Sequence, residues 1–185
     1  MRTRRSDPGF ILTNVGAMDE QHRTLVLMRH AKSAYPTGVA DHDRPLAPRG
    51  SREAGLGGDW LRNNVPAIDA VLCSTATRAR ETLARTGIDA PVQYVAQLYG
   101  ATPGIVIGEI NKADDDVTTL LVVGHEPTTS SLALLLADTD SSNTTAVASI
   151  SEKYPTSGVA VLRFGGRWAE LERGGATLVE FHVPR

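Results

Sequence analysis

Four short apolar runs, at residues 24–28, 67–73, 92–95 and 118–123, each give way to a polar or Gly/Pro-containing turn and then to a helix-compatible stretch. That alternation confines the chain to α/β folds, because strands separated by helical crossovers pair in parallel and need cover on both faces. The helix candidates are residues 48–63, 77–86, 102–112 and 127–136. Thr102 before Pro103 reads as an N-cap with proline at the first helical position, and Glu126 before Pro127 is expected to open the last helix in the same way. The first candidate is the weakest, since Gly55, Gly57 and Gly58 each cost a helix about 1 kcal/mol relative to alanine. Beyond Leu136 the pattern changes to a Ser/Thr-rich stretch over 138–158, followed by "VAVLRF" and "TLVEFHV", which alternate apolar and polar residues. These last runs are expected to join the same sheet, antiparallel at its edge. The predicted architecture is therefore a three-layer α/β/α sandwich with a mostly parallel central sheet, helices on both faces and an antiparallel edge strand.

A chain of 185 residues fits one domain, taken as residues 24–185. Residues 1–23 are expected to be a flexible leader, because their apolar pieces are too short for a signal-peptide core. A net charge of −2 gives no reason to expect nucleic acid as a partner, and no apolar run approaches the length of a membrane span. Cys73 is the only cysteine, which removes intrachain disulfides and cysteine-built metal sites and suits a cytoplasmic location.

The informative residues fall where the strands end. Arg29 and His30 follow the first run, Ser74, Arg78 and Arg80 follow the second in "LCSTATRARET", and Gly124, His125 and Glu126 follow the fourth in "LLVVGHEP". In a parallel sheet the carboxyl ends of the strands share one edge, where ligands bind. Arginine offers a planar fork of N–H donors that matches phosphate oxygens, and a neutral imidazole can attack phosphorus and later leave. Two histidines and two or three arginines converging there describe phosphoryl transfer by a histidine nucleophile.

"LVLMRHAKS", "STATRARET" and "VVGHEP", in this order, resemble the histidine phosphatase superfamily (branch 1), whose fold is that of phosphoglycerate mutase and acid phosphatase. "RHAKS", the following "DHDRPLAPRG" and the short chain are most similar to SixA-type phosphohistidine phosphatases, over roughly residues 24–136. The resemblance implies His30 as nucleophile, Arg29 and Arg78 as phosphate ligands and His125 as a second histidine donating to a phosphoryl oxygen. Ser33 and Arg44 stand in the same motif as substrate-binding candidates whose roles could equally be structural. The implied enzyme needs no metal and no cofactor, and acts on a phosphorylated protein or a small phosphorylated molecule.

One departure stands out. Larger relatives carry a glutamate acid after the third strand, where this chain has "VAQLYGATPG", with Tyr99 and no carboxylate. A phosphohistidine substrate relaxes that need, because its leaving imidazole can carry a proton on its distal nitrogen. Asp41, Asp43 and Glu126 are the remaining acid or base candidates if the fold brings one within reach.

Simpler readings compete at each position. Arg29 and His30 alone would suit a solvated strand end, Arg80 an ion-paired surface, Glu126 an acidic helix start and Tyr99 a packed aromatic. His22, His42 and His182 are expected at the surface or in loops. A cysteine phosphatase built on "CSTATR" has four residues between Cys73 and Arg78 where that chemistry uses five, and it leaves both histidines idle. A metallohydrolase using His30, His42, Asp43 and His125 lacks a compact ligand spacing. A broad-specificity small-molecule phosphomonoesterase and a non-catalytic phosphate-binding module are the alternatives that keep the same pocket.

Overall fold

The first strand, β1 (Arg23–Arg29), is apolar on both sides, and its alternation divides the molecule. Leu25 and Leu27 point into one buried cluster, Val26 and Met28 into another. A strand with two dry faces must be central. In the computed structural model, which describes residues 22–185, β1 pairs in parallel with β4 (Thr119–Gly124) and antiparallel with β5 (Val159–Phe164). With β2 (Ala70–Ser74), β3 (Val92–Val95) and β6 (Thr177–His182), the sheet order is β3-β2-β4-β1-β5-β6. The first four of these strands run parallel, β5 runs against β1, and β6 runs against β5. Most of the expected leader, residues 1–21, lies outside the described residues.

Helices α1 (Pro48–Asn64) and α2 (Thr77–Thr86) cover one face, contributing Leu61, Ala79 and Leu83 to the cluster of Val26 and Met28. Helices α3 (Pro103–Ile110), α4 (Thr128–Leu136) and α5 (Thr144–Glu152) cover the other, through Val106, Ile110, Leu132, Leu136, Ala146 and Ile150. This is the anticipated α/β/α sandwich. Among the described residues no helix is long and apolar enough to cross a membrane.

The glycines that weaken α1 on propensity explain how it packs. A Cβ on Gly58 would stand 2.0 Å from the Thr86 carbonyl oxygen, and one on Gly50 would stand 2.1 Å from that of Lys32. Close approach of α1 to α2, and to the loop after β1, therefore outweighs the local cost. The Ser/Thr-rich segment held a helix that composition concealed. Asn143 caps α5, its side chain accepting from the N–H groups of Thr145 and Ala146.

The start of α4 departs from the expected pattern. Pro127 is the N-cap rather than the first helical residue, and the Glu126–Pro127 peptide is cis. Glu126 reaches into the first turn instead, accepting from the N–H of Ser130 at 2.9 Å and from its hydroxyl at 2.7 Å. At α3 the expectation holds, since the Thr102 side chain accepts from Ile105 N–H ahead of Pro103.

Candidate active site

The carboxyl ends of β1, β2 and β4 lie side by side, with Arg29 in register with Gly124 and Cys73 with Val123. The residues just beyond them therefore meet. His30 and His125 face each other with ring centroids 5.0 Å apart, and each is only 8% exposed. Arg78, in the first turn of α2, donates from Nε to Nε2 of His30 at 3.3 Å.

The hydrogen bonds around His30 fix its tautomer. Nδ1 lies 2.8 Å from the carbonyl oxygen of Ala31, which can only accept, so Nδ1 carries the proton. Nε2 is then left with its lone pair, consistent with its accepting from Arg78. Desolvation lowers the His30 pKa to about 3, with His125, Arg78 and Arg29 acting in the same direction, while its bond to Ala31 opposes the shift. The ring is held neutral at physiological pH, with Nε2 free of a proton. Thr82 of α2 anchors the loop beneath it, accepting from Ala31 N–H at 2.9 Å and donating to the Arg78 carbonyl at 2.6 Å.

His125 is fixed from the other side. Its Nε2 is hydrogen-bonded to the Ser74 hydroxyl at 2.8 Å, and the ring roofs a small apolar chamber lined by Leu27, Leu98, Val106, Val122 and Leu132. Desolvation lowers its pKa to about 4, with Arg78 adding to the effect. Arg29 donates from Nη1 to the Tyr154 carbonyl at 2.6 Å, and burial pushes its guanidinium below the ordinary arginine value.

At the rim, the short 3-10 helix Asp41–Asp43 follows the loop after β1. Asp41 Oδ2 accepts from Arg78 Nη2 at 3.0 Å and from the Tyr99 hydroxyl at 2.6 Å, and its Oδ1 lies 3.2 Å from Arg44 Nε. The Tyr99 bond, followed by those from Arg78 and the charge of Arg44, holds this carboxyl below the usual carboxylate range against an opposing desolvation. His42 packs its edge on Tyr99 at 4.9 Å, and Tyr99 in turn meets His125 at 5.5 Å.

The fold thus brings together four of the six residues singled out in the sequence: Arg29, His30, Arg78 and His125. Arg44 sits at the rim on Asp41, with its guanidinium 3.9 Å above the Tyr35 ring. Ser33 is buried in an isolated β-bridge with Leu46, part of the fold of the loop itself. Sequence reasoning passed over Ser74 and Thr82 as site residues and left Asp41 and Tyr99 unassigned. Ser74 stood in the quoted motif, but nothing local indicated that it would meet a histidine 51 positions away.

Cys73 is fully buried, its thiol donating to the Ser74 carbonyl at 3.4 Å and pushed up to about 12 by desolvation. A thiol in that state is no nucleophile. Among the described residues, no three or more His, Cys, Asp or Glu side chains gather in a way that could hold a metal ion.

An α/β sandwich with histidines and arginines at its strand ends defines a class of phosphate-handling protein, and comparison with known proteins gives the family. Residues 25–108 match the histidine phosphatase superfamily (branch 1), and the chain belongs to that superfamily. It is 70% identical over 158 residues to an uncharacterized protein of Mycobacterium tuberculosis, covering 85% of this chain and all of that one. A candidate phosphohistidine phosphatase SixA from Nakamurella multipartitia shares the fold with a TM-score of 0.81 and 42% identity, over 88% of this chain and 96% of that one. A second SixA candidate, from Agrobacterium tumefaciens, has a TM-score of 0.72 and 28% identity, over 88% and 99% of the two chains. The chain is SixA-like in sequence and fold.

Proposed function

We propose that the protein is a phosphohistidine phosphatase that passes the phosphoryl group through a covalent intermediate on His30. The observation that carries this reading is the pairing of an unprotonated Nε2 on a neutral, buried His30 with Arg78 Nε at 3.3 Å. A nucleophile and a phosphate ligand are thereby held together before substrate arrives.

The Nε2 lone pair attacks phosphorus, the bond to the leaving group breaks with its electron pair going to that group, and the His30 ring becomes a cation. Its Nδ1–H remains on the Ala31 carbonyl, so the carbonyl dipole stabilises the charge as it develops. Water then attacks phosphorus, its proton passing to the phosphate that is released, and the P–N bond breaks with its electron pair returning to Nε2. Arg29 and Arg78 hold the equatorial oxygens, and His125, oriented by Ser74, donates to one of them. Arg78 must first exchange both Asp41 and Nε2 for phosphate, which frees the Nε2 lone pair, and the exposure of the carboxylate makes its release cheap. Residues 24–185 form the catalytic domain in this reading, acting in the cytoplasm on a phosphorylated protein.

The test is to incubate the wild type and His30→Ala with a phosphohistidine protein, an aryl phosphate and a phosphosugar, with acid quenching during turnover. Acid-labile phosphate on His30, and hydrolysis fastest on phosphohistidine, are expected. Equal activity of His30→Ala would overturn the mechanism. Tight phosphate binding with no turnover on any substrate would make the protein a binding module.

A further inference from the structure

The rim carboxylate has a position that the phosphoryl-transfer reading leaves without a task. Arg78 spans the site, with Nε on Nε2 of His30 at 3.3 Å and Nη2 on Asp41 Oδ2 at 3.0 Å. A phosphoryl group attacked by Nε2 sends its leaving atom in line, away from His30. Arg78 thus joins His30 to a rim carboxylate, and beside that carboxylate stand the rings of Tyr99 and His42.

Asp41 cannot serve there as an acid. The Tyr99 hydroxyl donates to it at 2.6 Å and two arginines flank it, so it stays ionised and holds no proton to give. An ionised carboxylate also repels a leaving group that departs as an alkoxide or phenolate. It favours a leaving group that arrives with an N–H to donate.

We infer that Asp41 determines leaving-group specificity, its carboxylate accepting the distal N–H of a phosphorylated imidazole while the P–N bond breaks. This rests on the reading of the site as a phosphohistidine phosphatase and adds the residue that selects the substrate. The ring, protonated on its distal nitrogen, is a cation before the step. When the P–N electron pair returns to the proximal nitrogen it departs as neutral imidazole, with the distal N–H still in place. No proton is transferred to the leaving atom, so the site needs no glutamate acid. Tyr99 is a positioning residue, fixing the carboxylate when phosphate takes Arg78 from it.

The experiment compares the wild type, Asp41→Asn and Tyr99→Phe on a phosphohistidine peptide and on p-nitrophenyl phosphate, with acid-labile phosphoenzyme measured for each. The kcat/KM ratio of the first substrate to the second is expected to fall about 10- to 100-fold in Asp41→Asn, the worth of a hydrogen bond between charged groups. Tyr99→Phe shifts the ratio the same way by less. The alkaline limb of the phosphohistidine profile moves to lower pH in Asp41→Asn, because the carboxylate that favours the distal N–H is gone. An equal loss on both substrates, with the phosphoenzyme still on His30, overturns the inference and leaves the mechanism standing. A wild type that forms the phosphoenzyme from p-nitrophenyl phosphate but is inert to phosphohistidine overturns both this inference and the proposed substrate. A wild type with no phosphoenzyme from either substrate overturns the mechanism and this inference together.

Discussion

The floor histidines and the rim carboxylate are both held by arginine and hydroxyl groups, yet in opposite ways. On the floor, His30 and His125 are each 8% exposed, and burial fixes their charge. At the rim, the Asp41 side chain is 58% exposed, and its ionisation is fixed by the partners that touch it, Tyr99 foremost. Desolvation keeps an imidazole unprotonated, whereas an exposed ion pair is easy to exchange. The first suits a nucleophile that must be ready, and the second a group that must give way to phosphate.

The contrast breaks most severely at the nucleophile. His30→Ala should reduce kcat/KM by about 10⁴-fold or more, read in a steady-state assay on any accepted phosphate substrate. Arg78→Ala, which removes the side chain hydrogen-bonded to both His30 and Asp41, should cost about 10²- to 10³-fold in kcat.

A pH series separates the regions without mutation. Both floor histidines have folded pKa values, about 3 and about 4, below the unfolded value near 6.5, so the unfolded chain binds more protons in between. Stability should therefore decline as pH falls below about 6.5 and the decline should level off below about 3, amounting to several kcal/mol in all. Urea midpoints at about pH 7 and about pH 5 test this before carboxylates titrate; a flat response would mean that these rings are solvated. Ser74→Ala should cost about tenfold in kcat, by freeing His125 from its 2.8 Å partner. Arg44→Ala should change kcat/KM by less than about fivefold, since its Asp41 pair is partly solvated, and salt titration of that small effect would show its ionic origin.

The floor was legible in the sequence because each of its chemical groups sits just past a strand, where a parallel sheet gathers its ends. Arg29, His30, Arg78 and His125 could be placed on one edge from that rule alone. The rim was not, because Asp41 and Tyr99 meet across 58 positions through a 3-10 turn and a loop that carry no periodic signal. Helix α5 was missed for a different reason. Its inward face consists of little more than Ala146 and Ile150, spaced four apart, and its Ser and Thr residues read equally well as loop. The helix α1 was expected and found, although its glycines count against it on propensity, which takes no account of the carbonyls of Lys32 and Thr86 at contact distance.

The end of β1 is held by segments made long after it. His30 N–H donates to the Gly124 carbonyl at 2.9 Å, Arg29 N–H to that of Gly158 at 3.0 Å, and Arg29 Nη1 to that of Tyr154 at 2.6 Å. During synthesis Arg29 and His30 leave the ribosome well before these partners, and Tyr154 follows Arg29 by 125 residues. A nascent chain therefore leaves one edge of β1 open, with Arg29 unanchored, until β5 is made and closes beside it. The setting of Arg29 is therefore completed only once the carbonyls of Tyr154 and Gly158 have been made.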